Sequence, residues 1–181
     1  MARNFKIHQT KEDATQVKEL YINFKPSVHI FSGLGENFPN LIFLIICDQL
    51  IKFVERENFF DLQKLGILDL SGNKIEVLPE DVFMDLPNLR YLYFDINLIT
   101  NIPEKLFSDL RRIEYISFYR NHIKVLPSNL FLNNLRLESL KCYNNPLKTA
   151  DVDFSAIPNV KLWNETESKH YFRGNLVNRS Y

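Results

Sequence analysis

Residues 65–88 read LGILDLSGNKIEVLPEDVFMDLPN. Leu65, Leu68 and Leu70 open the stretch, and the last two alternate with their neighbours as a strand with one buried face would. Asn73, Ile75, the pair Leu78–Pro79 and Phe83 follow. The same order returns 24 residues later as LRYLYFDINLITNIPEKLFSDLRR from Leu89, and again as IEYISFYRNHIKVLPSNLFLNNLR from Ile113. From Leu137 it continues as LESLKCYNNPLKTADVDFSAIPN, one residue short. Backwards, it gives LIFLIICDQLIKFVERENFFDLQK from Leu41 and an imperfect unit from Val17. Internal repetition of this length is the signature of a stacked, quasi-one-dimensional architecture.

Each column of the repeat has a physical reason. Position one holds Val17, Leu41, Leu65, Leu89, Ile113 and Leu137. Position four holds Leu20, Leu44, Leu68, Leu92, Ile116 and Leu140. Position six holds Ile22, Ile46, Leu70, Phe94, Phe118 and Cys142. These form the inward face of a strand. Position nine holds Asn73, Asn97, Asn121 and Asn145, weakening to Gln49 and Lys25 toward the N-terminus. There the chain turns inward, and a short amide can pair backbone groups that would otherwise be buried alone. Pro79, Pro103 and Pro127 stop regular pairing. Phe59, Phe83, Phe107 and Phe131 fill the back of each coil.

The pattern L-x-x-L-x-L-x-x-N-x-I-x-x-L-P-x-x-x-F resembles the leucine-rich repeat in its 24-residue form. The resemblance covers residues 17–163. It implies an α/β solenoid, a curved right-handed coil with a concave parallel β-sheet and an irregular or short-helical convex side. The 24-residue form is typical of secreted proteins and receptor ectodomains, Toll-like receptors among them. Extracellular members often carry cysteine-rich caps, and this chain has neither. The expected organisation is an N-terminal extension over 1–16, about six repeats plus a truncated one over 17–163, and an irregular tail over 164–181. In the truncated unit, Val160 and Trp163 are assigned to positions one and four, with Trp163 covering the open end.

Composition narrows the function. The chain has 181 residues, 45% hydrophobic and 24% charged, which suits a folded domain with a substantial core. Twenty-two basic residues balance twenty-two acidic ones, so the basic excess of a nucleic-acid partner is absent. The first sixteen residues contain no apolar run of the secretory type. An extracellular setting therefore requires a signal outside this sequence, and a cytoplasmic one is the alternative. The longest apolar run, Leu41–Ile46, is far short of the roughly 20 residues a membrane span needs.

Cys47 points outward and Cys142 inward, four repeats apart. At about 4.8 Å per parallel strand that is roughly 19 Å, beyond the reach of an intramolecular disulfide. The sequons NET at Asn164 and NRS at Asn178 are glycosylation candidates. His8, His29, His122 and His170 are scattered, without a cysteine or carboxylate at metal-ligand spacing. The Gly33–Gly35 segment is not followed by a nucleotide-binding helix pattern, and no nucleophile motif occurs. No cofactor, metal or catalytic residue is expected, and the chain reads as a non-enzyme.

The outward strand positions hold the candidate site. They collect Ile42, Phe43 and Ile45, then Ile67 and Asp69, then Tyr91, Tyr93 and Asp95, then Tyr115, Ser117, Tyr119 and Arg120, then Lys141 and Tyr143. Five of the chain's eight tyrosines are among them. Tyrosine and arginine are enriched in binding hot spots. The expectation is a protein- or peptide-binding module using this concave face, of recognition, adhesion or receptor type. Two other readings stand beside it: a self-associating unit, or an intracellular adaptor or regulatory subunit. Ile42, Phe43 and Ile45 are expected to be covered, either by residues 1–16 or by a partner.

Overall fold

The computed structural model describes residues 14–22, 27–147 and 160–163. Seven short strands form one parallel sheet in sequence order: β1 Glu19–Tyr21, β2 Phe43–Ile45, β3 Ile67–Asp69, β4 Tyr91–Tyr93, β5 Tyr115–Ser117, β6 Ser139–Lys141 and β7 Lys161–Trp163. From β1 to β6 the register advances by 24 residues per strand: Leu20, Leu44, Leu68, Leu92, Ile116 and Leu140 are successive partners. Each strand is three residues long because the repeat must turn back at its ninth position. The returning chain is irregular, broken by a 3-10 turn at Arg56–Asn58, while α1 at Leu34–Asn37 belongs to the first repeat.

One continuous core runs the length of the coil, and the columns at positions one, four and six are buried throughout β1–β6. Phenylalanines form its spine. Phe59 and Phe83 lie 6.2 Å apart, Phe83 and Phe94 5.8 Å, Phe94 and Phe118 5.7 Å, and Phe107 and Phe131 5.8 Å. No unit can bury these rings alone, so each repeat completes its neighbour's core. Asn134 stands where Leu62, Leu86 and Leu110 stand in earlier repeats. Its amide donates to the Phe107 and Leu110 carbonyls, at 2.8 and 3.0 Å.

The position-nine asparagines work through the backbone. Asn73 Oδ1 accepts from the Gln49 and Ile51 amides at 3.1 and 3.0 Å, and Asn73 Nδ2 donates to Ile46 O and Leu70 O at 2.7 and 2.9 Å. Asn97, Asn121 and Asn145 repeat the arrangement one strand on. Each side chain thus ties its own turn to the preceding repeat. The residue before each position-nine amide, at position eight, is forced into the left-handed region: φ is 56° at Asp48 before Gln49, and 71° at Gly72, 56° at Ile96, 54° at Arg120 and 56° at Asn144 before the asparagines. Gly72 suits the conformation, whereas a β-branched Ile96 does not.

The seventh strand corrects the expected register. Leu162, not Trp163, pairs with Leu140, and Trp163 pairs with Lys141. The sixth unit is therefore two residues short rather than one. Trp163 takes position five of the register rather than position four, and the expectation that it covers the open end lies outside the described side chains. Cys142 is buried and Cys47 is half-buried. The extension over 1–13 and the tail with Asn164 and Asn178 lie outside the described residues.

Candidate functional site

Alternation puts positions three, five and seven on the sheet's open side. In register, position three gives the row Glu19, Phe43, Ile67, Tyr91, Tyr115, Ser139 and Lys161. Position five gives Tyr21, Ile45, Asp69, Tyr93, Ser117, Lys141 and Trp163. Among the candidates, Ile42, Phe43, Ile45, Ile67, Asp69, Tyr91, Tyr93, Asp95, Tyr115, Tyr119, Lys141 and Tyr143 are half-buried, and Arg120 is exposed. The face has an apolar half over β2–β3 and an aromatic half over β4–β6.

Ile42, Phe43 and Ile45 have close neighbours on the next strand and the chain leading into it. The Ile42 methyl lies 3.6 Å from where a Gly66 Cβ would stand, and Phe43 and Ile45 pair with Ile67 and Asp69. Residues 14–16, part of the segment expected to cover them, form a 3-10 turn. There Ala14 packs on the core and Thr15 O accepts from Asn40 Nδ2 at 2.6 Å. The rest of that expectation falls on residues outside the description.

The aromatic half is built as a unit. Tyr93 and Tyr115 pack with ring centroids 5.1 Å apart, and Tyr119 and Tyr143 4.6 Å apart. Burial raises the Tyr93 pKa, and it pushes Tyr115 up to about 12, so both phenols stay protonated across the physiological range. Asp95 sits under them. Its Oδ1 accepts from the Ser117 hydroxyl and, at 2.9 Å, from the Tyr119 amide, while Lys141 Nζ lies 3.6 Å from Oδ2. Lys141 also stands over the Tyr119 ring at 4.6 Å and the Tyr143 ring at 5.3 Å, in cation–π range. Burial raises the Asp95 pKa, and the Ser117, Lys141 and Tyr119 contacts work against that rise.

Ser117 corrects the sequence assignment. It is fully buried, so it offers nothing to a ligand and instead holds the Asp95 carboxylate. At the sheet's N-terminal edge, Arg90 grips Glu114 at 2.6 Å, a contact that the outward-position rule alone did not single out. Among the described residues no group of three His, Cys, Asp or Glu is placed to hold a metal, and no helix is long and apolar enough to cross a membrane.

A one-sheet solenoid of this repeat is the leucine-rich repeat fold. Residues 39–99 match the family model described as leucine rich repeat. Solved structures agree in fold. A leucine-rich repeat protein of Leptospira interrogans superposes with a TM-score of 0.69 at 22% identity, over 83% of this chain and 38% of its own. The LRIM1/APL1C complex gives 0.70 at 23%, over 87% and 30%. The APL1 leucine-rich repeat domain gives 0.71 at 22%, over 87% and 42%. The chain thus spans less than half of each of those structures. No curated protein matches it in sequence.

Proposed function

We propose that this chain is a non-enzymatic module that binds a protein or peptide across its concave face, in extracellular recognition of the innate-immune, adhesion or receptor type. The observation that carries the binding half is continuity. Apolar and aromatic side chains dominate the face from β2 to β6, interrupted by the half-buried Asp95–Lys141 pair, Asp69 and the small residues Ser71, Ser117 and Ser139. A run of that extent exceeds what a soluble monomer ordinarily leaves open. Support for the extracellular half is the 24-residue repeat and its resemblance to secreted members; one structural neighbour, LRIM1/APL1C, is itself a complex. In that setting Asn164 and Asn178 would carry glycans.

The test uses the full chain and random displayed peptides of about 10 residues, long enough to cross seven strands at about 4.8 Å each. Tyr91, Tyr119 and Tyr143 are changed together to serine, sparing Tyr93 and Tyr115, whose phenol pKa values are raised strongly by burial. Peptides selected on the original chain are expected to bind the variant about 30-fold more weakly, the loss typical of hot-spot aromatics. If circular dichroism shows the fold intact and affinity unchanged, the concave reading is wrong. A self-associating unit is the second reading, motivated by Ile42, Phe43 and Ile45. A strict monomer in solution at micromolar concentration removes it.

A further inference from the structure

Charge on the concave face is unevenly matched. Between positions three and seven of β2–β5 the charged side chains are two carboxylates, Asp69 and Asp95. Asp95 is provided for by Lys141, Ser117 and the Tyr119 amide. Asp69 accepts one hydrogen bond, from the Ser71 amide to Oδ1 at 3.0 Å, and joins no ion pair among the described residues. Its own repeat supplies no arginine or lysine to an outward position. Lys141, in the same column three strands away, lies roughly 14 Å off at about 4.8 Å per strand.

The surroundings of Asp69 share one feature with those that hold Lys141, a tyrosine beside a carboxylate. That ammonium sits between a carboxylate and two tyrosine faces. Asp69 is half-buried, flanked in register by Tyr93 on one side and Ile45 on the other, and close enough to Asp95 for the two charges to repel. A carboxylate walled by an aromatic ring and an isoleucine is screened less than one in open water, so an approaching cation gains more from it. Asp95 is compensated by Lys141, so Asp69 is the carboxylate left to attract a cation and repel an anion. The apolar row Phe43, Ile45 and Ile67 begins at its edge.

We infer that Asp69 sets the specificity of the concave face: it takes the arginine or lysine side chain of an extended peptide segment whose neighbouring apolar side chain lies on Phe43, Ile45 and Ile67. This rests on the concave-face reading and adds the partner's chemistry to it. The partner is a peptide segment with a basic residue beside an apolar one, rather than an acidic segment.

The experiment presents the full chain with matched pools of random peptides of about 10 residues, the length set by the width of the face. The pools differ only at the centre, which is arginine, its uncharged isostere citrulline, or glutamate. The arginine pool is expected to be retained at least about tenfold more strongly than the citrulline pool, as a charge-assisted contact in this setting implies. On Asp69→Asn that advantage disappears while the citrulline pool is unaffected. Equal retention of the arginine and citrulline pools, preference for glutamate, or an arginine advantage that survives Asp69→Asn overturns the inference. A concentration-dependent dimer abolished by Asp69→Asn assigns the face to a second copy and also overturns it. Peptides lost on the triple tyrosine variant but indifferent to Asp69→Asn sink this inference alone and leave the concave reading standing.

Discussion

Replacing Asn97 by alanine tests the asparagine ladder atom by atom. Asn97 Nδ2 donates to Leu70 O at 3.0 Å, Phe94 O at 3.2 Å and Asp95 O at 3.3 Å, and Oδ1 accepts from the Ile75 amide at 3.1 Å. The three carbonyls have second donors. Leu70 O keeps Asn73 Nδ2, Phe94 O keeps Asn121 Nδ2, and Asp95 O keeps the Gly72 amide. The buried Ile75 amide has only Asn97. One orphaned donor costs about 1–3 kcal/mol, and weakening three shared acceptors brings the expected loss to about 3 kcal/mol. Urea denaturation followed by circular dichroism measures it. Exchange of the Ile75 amide proton locates it, and that proton is expected to exchange faster than those of Ile99 and Ile123. Asn101→Ala, at an exposed position, serves as the control and is expected within about 0.5 kcal/mol of the original. Asn97→Asp keeps the acceptor but turns a carboxylate toward three carbonyls, and is expected to be no better than alanine. An Asn97→Ala loss no larger than the control's, or Ile75 exchange left unchanged, refutes the reasoning.

Two further outcomes follow from geometry. Ile96 is a β-branched residue at φ 56° and is 51% exposed, so Ile96→Asn is expected to stabilise the chain by about 1 kcal/mol and raise Tm by roughly 2–4 °C; an unchanged or lowered Tm contradicts the strain. Asp95 has a raised pKa from burial, so its folded form holds a proton more tightly than its unfolded form, whose value is about 3.9. The chain therefore loses stability on this account as pH rises through that window. Asn at 95 cannot titrate, so the stability of Asp95→Asn relative to the original should climb with pH there and level off above it; a flat or falling difference in urea titrations shows that burial is not the governing cause.

Much of this was legible in the residues, for a reason particular to repeats. Leu44, Leu68, Leu92 and Ile116 face the core because each unit meets the same neighbours as the last, so one local period predicts the whole stack. The rule fails where the period breaks. In the unit from Leu137, the length of the return segment decides the register of the next strand, and no column residue reports that length; hence Leu162 pairs where Trp163 was assigned. Outward direction was legible, but accessibility was not. Ser117 shares the outward column with Tyr93, yet its hydroxyl is held on Asp95 and the residue is fully buried. The Asp95–Lys141 pair joins positions seven and five across two strands, a diagonal that columns read separately do not reveal. Backbone strain at Ile96 was hidden because the turn before each asparagine imposes its angle on whatever residue stands there.

The phenylalanine spine also bears on which way the face bends. At the back, rings in the same column of adjacent repeats stand 6.2 Å apart for Phe59 and Phe83 and 5.8 Å for Phe107 and Phe131. At the front, parallel strands step by about 4.8 Å. The back is therefore spaced more widely than the front, which leaves the sheet on the inner side of the bend, and lengthening the arc would take more repeats rather than different ones.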